Sequence, residues 1–229
     1  MISEPPKPSQ KNAIDLNALG HDQEFQMARS LAIEAYARLE SSLSRLLAAL
    51  LGTNYSKASI VYFSLLNTRS RNSMFESLIA ATHGDKYDVH WNGRAGQPGV
   101  PRASGLLALI RLLDDERNQI VHWHTIQDLT GTSTNGEKLA KPEFWFRDPQ
   151  GTPNFMGSAE LWAFARKAEF VSRSVNMFTL LTSGQHLTEE AKQTWPQIFQ
   201  QPVPYPPSDT HPLSPICKAP DSPPRSSRG

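Results

Sequence analysis

From about Asp22 to Leu51, apolar positions recur in steps of three and four at Phe25, Ala28, Ala32, Tyr36, Leu39, Leu43, Leu46 and Leu50. Helical turns bring such positions onto one face, so the spacing predicts a long amphipathic helix. Glu34, Arg38, Ser41 and Arg45 fall on its opposite face, and Gly52-Thr53-Asn54 supplies the stop. A second helix is expected from about Ser56 to Thr82. Val61, Tyr62, Leu65 and Leu66 are apolar in its first half, and Met74, Phe75, Leu78 and Ile79 in its second. The two patches are rotated apart across Asn67 to Asn72, which predicts a bend or a helix buried on different sides along its length. His83 to Pro101 is rich in Gly, Pro, Asp and Asn and is expected to be a loop.

The run from Gly105 to Val121 predicts a third helix, with Leu106, Ile110, Leu113 and Ile120 on one face and an end near Trp123. From His124 to Met156 the texture changes. Phe144-Trp145-Phe146 lies between polar residues, and Thr134-Asn135-Gly136 and Asp148-Pro149-Gln150-Gly151 are turn signals, so a small β-hairpin is expected. Ser158 can cap a fourth helix in which Leu161, Phe164, Ala165, Ala168, Val171, Val175 and Phe178 repeat up to Gly184. Thr188 can start a short last helix ending at Pro196. The expected class is all-α: an antiparallel four-helix bundle over residues 21–200, with a β-hairpin inserted at about 124–156. Residues 1–20, with Pro5, Pro6 and Pro8, are expected to be disordered. The same holds for the Pro-rich tail, residues 201–229, since ten of the eighteen prolines lie between Pro196 and Gly229.

A chain of 229 residues fits one ordinary domain, and its net charge of +1 does not provide a uniformly basic body. Any nucleic-acid contact is therefore expected to be local. The single cysteine, Cys217, lies in the tail, which leaves no disulfide framework and no cysteine-based metal site. A reducing cytoplasm is the expected setting. No apolar run approaches about 18 residues and the N-terminus lacks a signal-peptide core, so neither export nor membrane insertion is expected.

The most informative segment is Arg117-Asn118-Gln119-Ile120-Val121-His122. On the helical projection Arg117 falls in the middle of the apolar face, while Asn118 and His122, four apart, lie one above the other at its edge. Cleavage of RNA through its own 2′-OH needs a base for that hydroxyl, an acid for the departing 5′-oxygen and positive charge on the transition state. Histidine is the residue type that serves as base or acid near neutral pH, and arginine offers a fork of donors matched to phosphate oxygens. Asn118 can hold the imidazole or a phosphate oxygen. One motif carries one such histidine, so chemistry with two histidines needs a symmetric second copy.

Arg-Asn-x-x-x-His on a helix of a small four-helix protein resembles the HEPN superfamily, whose signature is Arg, four to six residues, then His, often with a polar residue after the Arg. The resemblance spans roughly residues 22 to 182. It implies a metal-independent endoribonuclease without a cofactor, working as a homodimer with the two motifs facing one another. For a toxin it also implies a cognate antitoxin or nucleotidyltransferase-like partner. Arg117, Asn118 and His122 are the catalytic candidates, and His124 also satisfies the gap. In the competing structural reading, Arg117 pairs with a buried carboxylate such as Glu34 or Glu40, Asn118 and His122 cap the helix, and the bundle is a non-catalytic dimerisation or interaction module.

Arg69, on the apolar face of the first half of the second helix, is a further candidate. It contacts phosphate in the same cleft as Arg117, or it forms a buried ion pair. Arg71 reads as solvated. Asp114-Asp115-Glu116 reads as a solvated charge run, although Asp114 is placed to orient Asn118. Phe144, Trp145 and Phe146 read as packing before base stacking. His83, Asp85, Asp88, His90, His122 and His124 show no recognised metal-ligand spacing, and the chain has no phosphate-binding glycine loop.

Overall fold

The computed structural model describes residues 16–93, 105–122, 124–132, 138–147, 153–184, 187–199 and 203–218; for 16–22 and 124–155 it describes the backbone alone. These residues are mostly helical. The helices are α1 (Leu16–Leu50), α2 (Tyr55–Ser64), α3 (Thr68–Lys86), α4 (Leu106–His122), α5 (Ser158–Ser183), α6 (Glu189–Ile198) and a short α7 (Ser214–Cys217). A π-turn, Tyr87–Trp91, continues α3. Between α4 and α5 the backbone forms β1 (His124–Thr132), β2 (Lys138–Arg147) and β3 (Pro153–Met156), an antiparallel sheet in the order β1-β2-β3 with an irregularity between Asp128 and Gly131. Among the described residues no helix is long and apolar enough to cross a membrane.

The α1 face expected from the periodicity is the core of the bundle. Phe25, Ala28, Ala32, Leu39 and Leu46 are fully buried, chiefly against α5. Burying each large apolar side chain stabilises the fold by about 1.5–3 kcal/mol. The relative directions differ from an antiparallel four-helix arrangement. Tyr36 stacks on Phe164, Arg38 bridges to Glu169, and the Ser42 and Ser172 hydroxyls meet at 2.9 Å, so α1 and α5 lie side by side and run parallel.

The cause is a full break where the second helix was expected to bend. Residues 65–67 are not helical, and the Asn67 side chain accepts from the Arg69 backbone N–H at 2.8 Å, starting α3 afresh. Arg45 lies over the Tyr55 ring while Tyr62 lies beneath Arg71, itself bonded to Glu40, so α2 runs back along α1. Arg111 meets Glu76 and Asn72 meets Asp114, so α4 runs antiparallel to α3. The extra reversal between α2 and α3 leaves α5 pointing the same way as α1.

Residues expected to be loop or disordered include packed ones. His83–Lys86 complete α3, and the π-turn follows with Trp91 fully buried between Phe75 and Phe178. Gly84, at φ 33°, provides the left-handed kink that re-aims the chain into that turn. Gly105, just before α4, packs on the end of the turn. A Cβ there would lie 2.4 Å from the Trp91 carbonyl oxygen and 2.5 Å from the Gly93 nitrogen, so only glycine permits this approach.

Within the tail expected to be disordered, Val203, His211, Leu213 and Ser214 are buried, and Tyr205 and His211 pack on Phe170 of α5. A few apolar anchors between prolines are enough, because proline lowers the entropy lost on ordering. At the other end, Leu16–Gly20 belong to α1 rather than to a disordered segment. Residues 1–15 and 219–229 lie outside the described residues.

Candidate functional site

The last turn of α4 keeps its inner side in the core and presents its outer side to solvent. Leu113 and Ile120 are buried, whereas Val121 and His122 are exposed. Arg117 points toward α1, as its place on the apolar face implies, but it is only half-buried. Its guanidinium carbon lies 5.5 Å from the centroid of the Tyr36 ring, and Nη1 donates to Asn118 Oδ1 at 3.3 Å. Such a cation over a ring contributes about 0.5–1 kcal/mol near the surface.

The carboxylates considered as partners for Arg117 are engaged elsewhere. Glu34 bonds Arg38 at 3.0 Å, and Glu40 bonds Arg71 at 2.9 Å. Among the described residues no carboxylate forms an ion pair with Arg117. Asn118 and His122 are exposed on successive turns of α4, and the half-buried Arg117 reaches the amide from the side facing α1. The helix stops at His122 and His124 opens β1, opposite Trp145, so His124 does not continue the α4 face.

A second polar cluster lies one turn deeper, and the sequence reading missed it. Asp114 is buried: Tyr36 Oη donates to Oδ1 at 2.5 Å and Asn72 Nδ2 donates to Oδ2 at 3.0 Å. This corrects the solvated reading of Asp114. Arg71, also expected to be solvated, is held beside it. Its Nη1 donates to Glu40, its Nε donates to the Leu65 carbonyl at 2.6 Å, and its guanidinium sits 4.6 Å from the Tyr62 ring centroid. Tyr36 and Glu40 are four apart on α1, and Arg71 and Asn72 are adjacent on α3, so the two arms form one polar layer joining α1, α3 and α4.

Burial pushes the Asp114 carboxyl above its ordinary range, against the lowering effect of its two hydrogen bonds and of Arg71. Burial, reinforced by Asp114, raises the Tyr36 phenol strongly. Tyr62 is raised by burial and then by Glu40. Both phenols remain protonated, Tyr36 as a donor to Asp114, and both carboxylate oxygens of Asp114 accept a hydrogen bond. The layer positions Tyr36, and through its ring the Arg117 side chain.

Arg69 is exposed at the start of α3, so its expected place on the apolar face is not observed. It lines a groove with Val61, Leu65 and Met74 that does not include Arg117, and the common cleft expected for the two arginines is not formed among these lining residues. Of the loop histidines, His83 and His90 face Phe178 edge-on. Among the described residues no three His, Cys, Asp or Glu side chains gather as a metal site. The side chains of His124, Phe144, Trp145 and Phe146 lie outside the described residues.

Comparison of the chain with family models, with curated proteins and with solved structures gave no match. Any functional reading therefore rests on the site itself.

Proposed function

We propose that this chain is a HEPN-like RNA-binding protein that cleaves RNA without a metal, through the Arg117, Asn118 and His122 face of α4. The observation that carries the reading is the state of Arg117: a half-buried guanidinium, steadied by Tyr36 and Asn118, with no carboxylate on it among the described residues. A cation so placed and not neutralised by a described carboxylate is suited to a phosphate. The reading rests on this helix end, not on the bundle.

In the reaction the 2′-oxygen attacks phosphorus as its proton passes to one imidazole. The bond to the 5′-oxygen breaks, and that oxygen takes a proton from a second imidazole. His122 supplies the first, and His122 of a second copy supplies the other, which makes the active form a homodimer. Arg117 stabilises the charge on the phosphorane, and Asn118 orients the imidazole or a phosphate oxygen. In a toxin role the natural partner is an antitoxin or nucleotidyltransferase-like protein covering this face, in the cytoplasm.

The test is incubation of purified protein with mixed RNA in EDTA. Cleavage leaving 2′,3′-cyclic phosphate ends, reduced about 10²–10⁴-fold by His122→Ala, is expected. Cleavage unchanged by that substitution removes the site assignment.

A second reading, a non-catalytic interaction module, is favoured by a separate observation. Ile60 and Phe63 on α2 and Leu66 just beyond its end are 69%, 47% and 92% exposed, a costly arrangement unless something covers them. Under that reading Phe63→Asp abolishes self-association or partner binding, and His122→Ala changes nothing.

A further inference from the structure

At the other end of the bundle, away from α4's exposed turn, a cavity of about 250 Å³ opens between the π-turn, the last turns of α5, and α6. Its walls are Phe178, Leu181, Pro196 and Phe199, with His90 set between the rings and Lys86 exposed at the mouth. The imidazole meets Phe199 edge-on at 5.3 Å and Phe178 at 6.2 Å. Burial, and then the nearby Lys86 ammonium, lower the His90 pKa to about 4, so the imidazole is neutral near neutral pH. Lys86 is the cation among the lining residues.

Three interruptions of regular helix converge on this cavity: the kink at Gly84, the π-turn at Tyr87–Trp91, and Pro196 inside α6. Each sacrifices regular backbone hydrogen bonding. A π-turn inside a helix recurs at functional sites, where the wider turn re-aims side chains. Here it turns two consecutive rings, His90 and Trp91, inward. His90 Nδ1 is buried without a hydrogen-bond partner among the described residues, a cost of about 1–3 kcal/mol that packing efficiency alone does not favour.

The shape and chemistry define the occupant. The volume lies just under the ~300–1,000 Å³ of sites for drug-sized molecules, which suits one or two fused rings. Phe178 and Phe199 offer aromatic walls, and the mouth offers one ammonium. The Thr182 hydroxyl donates to the carbonyls of Phe178 and Thr179, so toward the cavity it can act only as an acceptor. Thr182 and the neutral His90 imidazole are the polar groups along otherwise apolar walls, which disfavours a sugar, and a lone ammonium matches a singly charged group. We propose that this cavity binds a small aromatic carboxylate, its rings held between Phe178, Phe199 and Pro196 and its carboxylate on Lys86.

The experiment is calorimetric titration of the full chain with 2-naphthoate and with its neutral alcohol counterpart. One saturable site per chain is expected for the acid, weakened about threefold to fivefold for the alcohol and by Lys86→Met, the range of an exposed ion pair. Leu181→Trp, which fills the cavity, is expected to abolish binding, and circular dichroism shows whether that variant is folded. Lys86 is exposed, so Lys86→Met keeps the test decisive if the filled variant does not fold. Absence of saturable binding, or equal affinity for acid and alcohol, overturns the proposal. So does binding unaffected by Lys86→Met.

Discussion

Two arginines on core-facing sides of neighbouring helices meet opposite fates. Arg71 is enclosed: its side chain is 13% exposed, its charge is matched by Glu40, and its Nε donates to the Leu65 carbonyl. Arg117, on the same side of the bundle and linked to it through Tyr36 and Asp114, keeps a guanidinium that touches a ring and an amide but no carboxylate among the described residues. A buried charge left unpaired costs several kcal/mol, so the fold pairs Arg71 and leaves Arg117 half-buried, within reach of solvent. The contrast separates residues that hold the bundle together from residues that remain available for a ligand.

The largest effect is expected where the enclosure is deepest. Arg71→Ala leaves the part-buried Glu40 without its partner and frees the Leu65 carbonyl, and a urea titration is expected to show a loss of about 3 kcal/mol. Asp114→Ala strands the Tyr36 hydroxyl and the Asn72 amide and is expected to cost about 2 kcal/mol in the same measurement. If either variant proves neutral, the layer is not closed as described. Arg117→Ala removes only a partly solvated cation–ring contact, with an expected loss under about 1 kcal/mol. His122→Ala, at an exposed helix end, is expected to fall within about 0.5 kcal/mol of the parent while lowering cleavage about 10²–10⁴-fold.

A smaller effect concerns pH. Because the folded-state pKa of His90 is depressed to about 4, the unfolded chain takes up its proton first. Stability is therefore lost as pH falls from about 6.5 toward about 4. Asp114, whose folded-state pKa is raised, acts in the opposite sense: its proton is held more tightly in the folded chain, and its ionisation costs stability as pH rises. Asp114→Asn removes that opposing slope, so the acid loss steepens in denaturant midpoints measured over this range. An unchanged slope would show that Asp114 titrates like a solvated carboxyl.

The helices were legible because their apolar spacing is regular: the apolar residues expected on the inner faces of α1, α4 and α5 are buried, Leu50 only in part, and the buried faces are wider than that spacing, taking in Leu47, Leu107 and Phe170 as well. Phase was harder to read. Treating residues 56–82 as one helix carried the α2 register through Asn67, which placed Arg69 inward and Arg71 outward. The break restarts the phase at Thr68, and Arg71 then joins Asn72 and Phe75 on the inner side. The same break reverses the chain once more and makes α1 and α5 parallel, an outcome no local pattern encodes.

Asp114 was legible in part, since it projects beside Ile110 and Leu113, but its charge outweighed its position. The π-turn and the tail were hidden by composition. Glycine, aspartate and proline mark loops on average, yet Trp91, Val203 and Leu213 are anchors whose burial depends on α5. At the motif, the arginine's direction was legible in the helical spacing, while the pairing of Glu34 with Arg38 and of Glu40 with Arg71 follows only from the tertiary packing.

The availability of Arg117 is tested most directly by measuring RNA affinity and melting temperature together on Arg117→Ala, with Arg71→Ala as the reference. The account predicts that Arg117→Ala weakens RNA binding and lowers its salt dependence by about one phosphate contact while melting within a few degrees of the parent. A steep fall in melting temperature with RNA binding unchanged would show that Arg117 belongs to the scaffold and contradict the account.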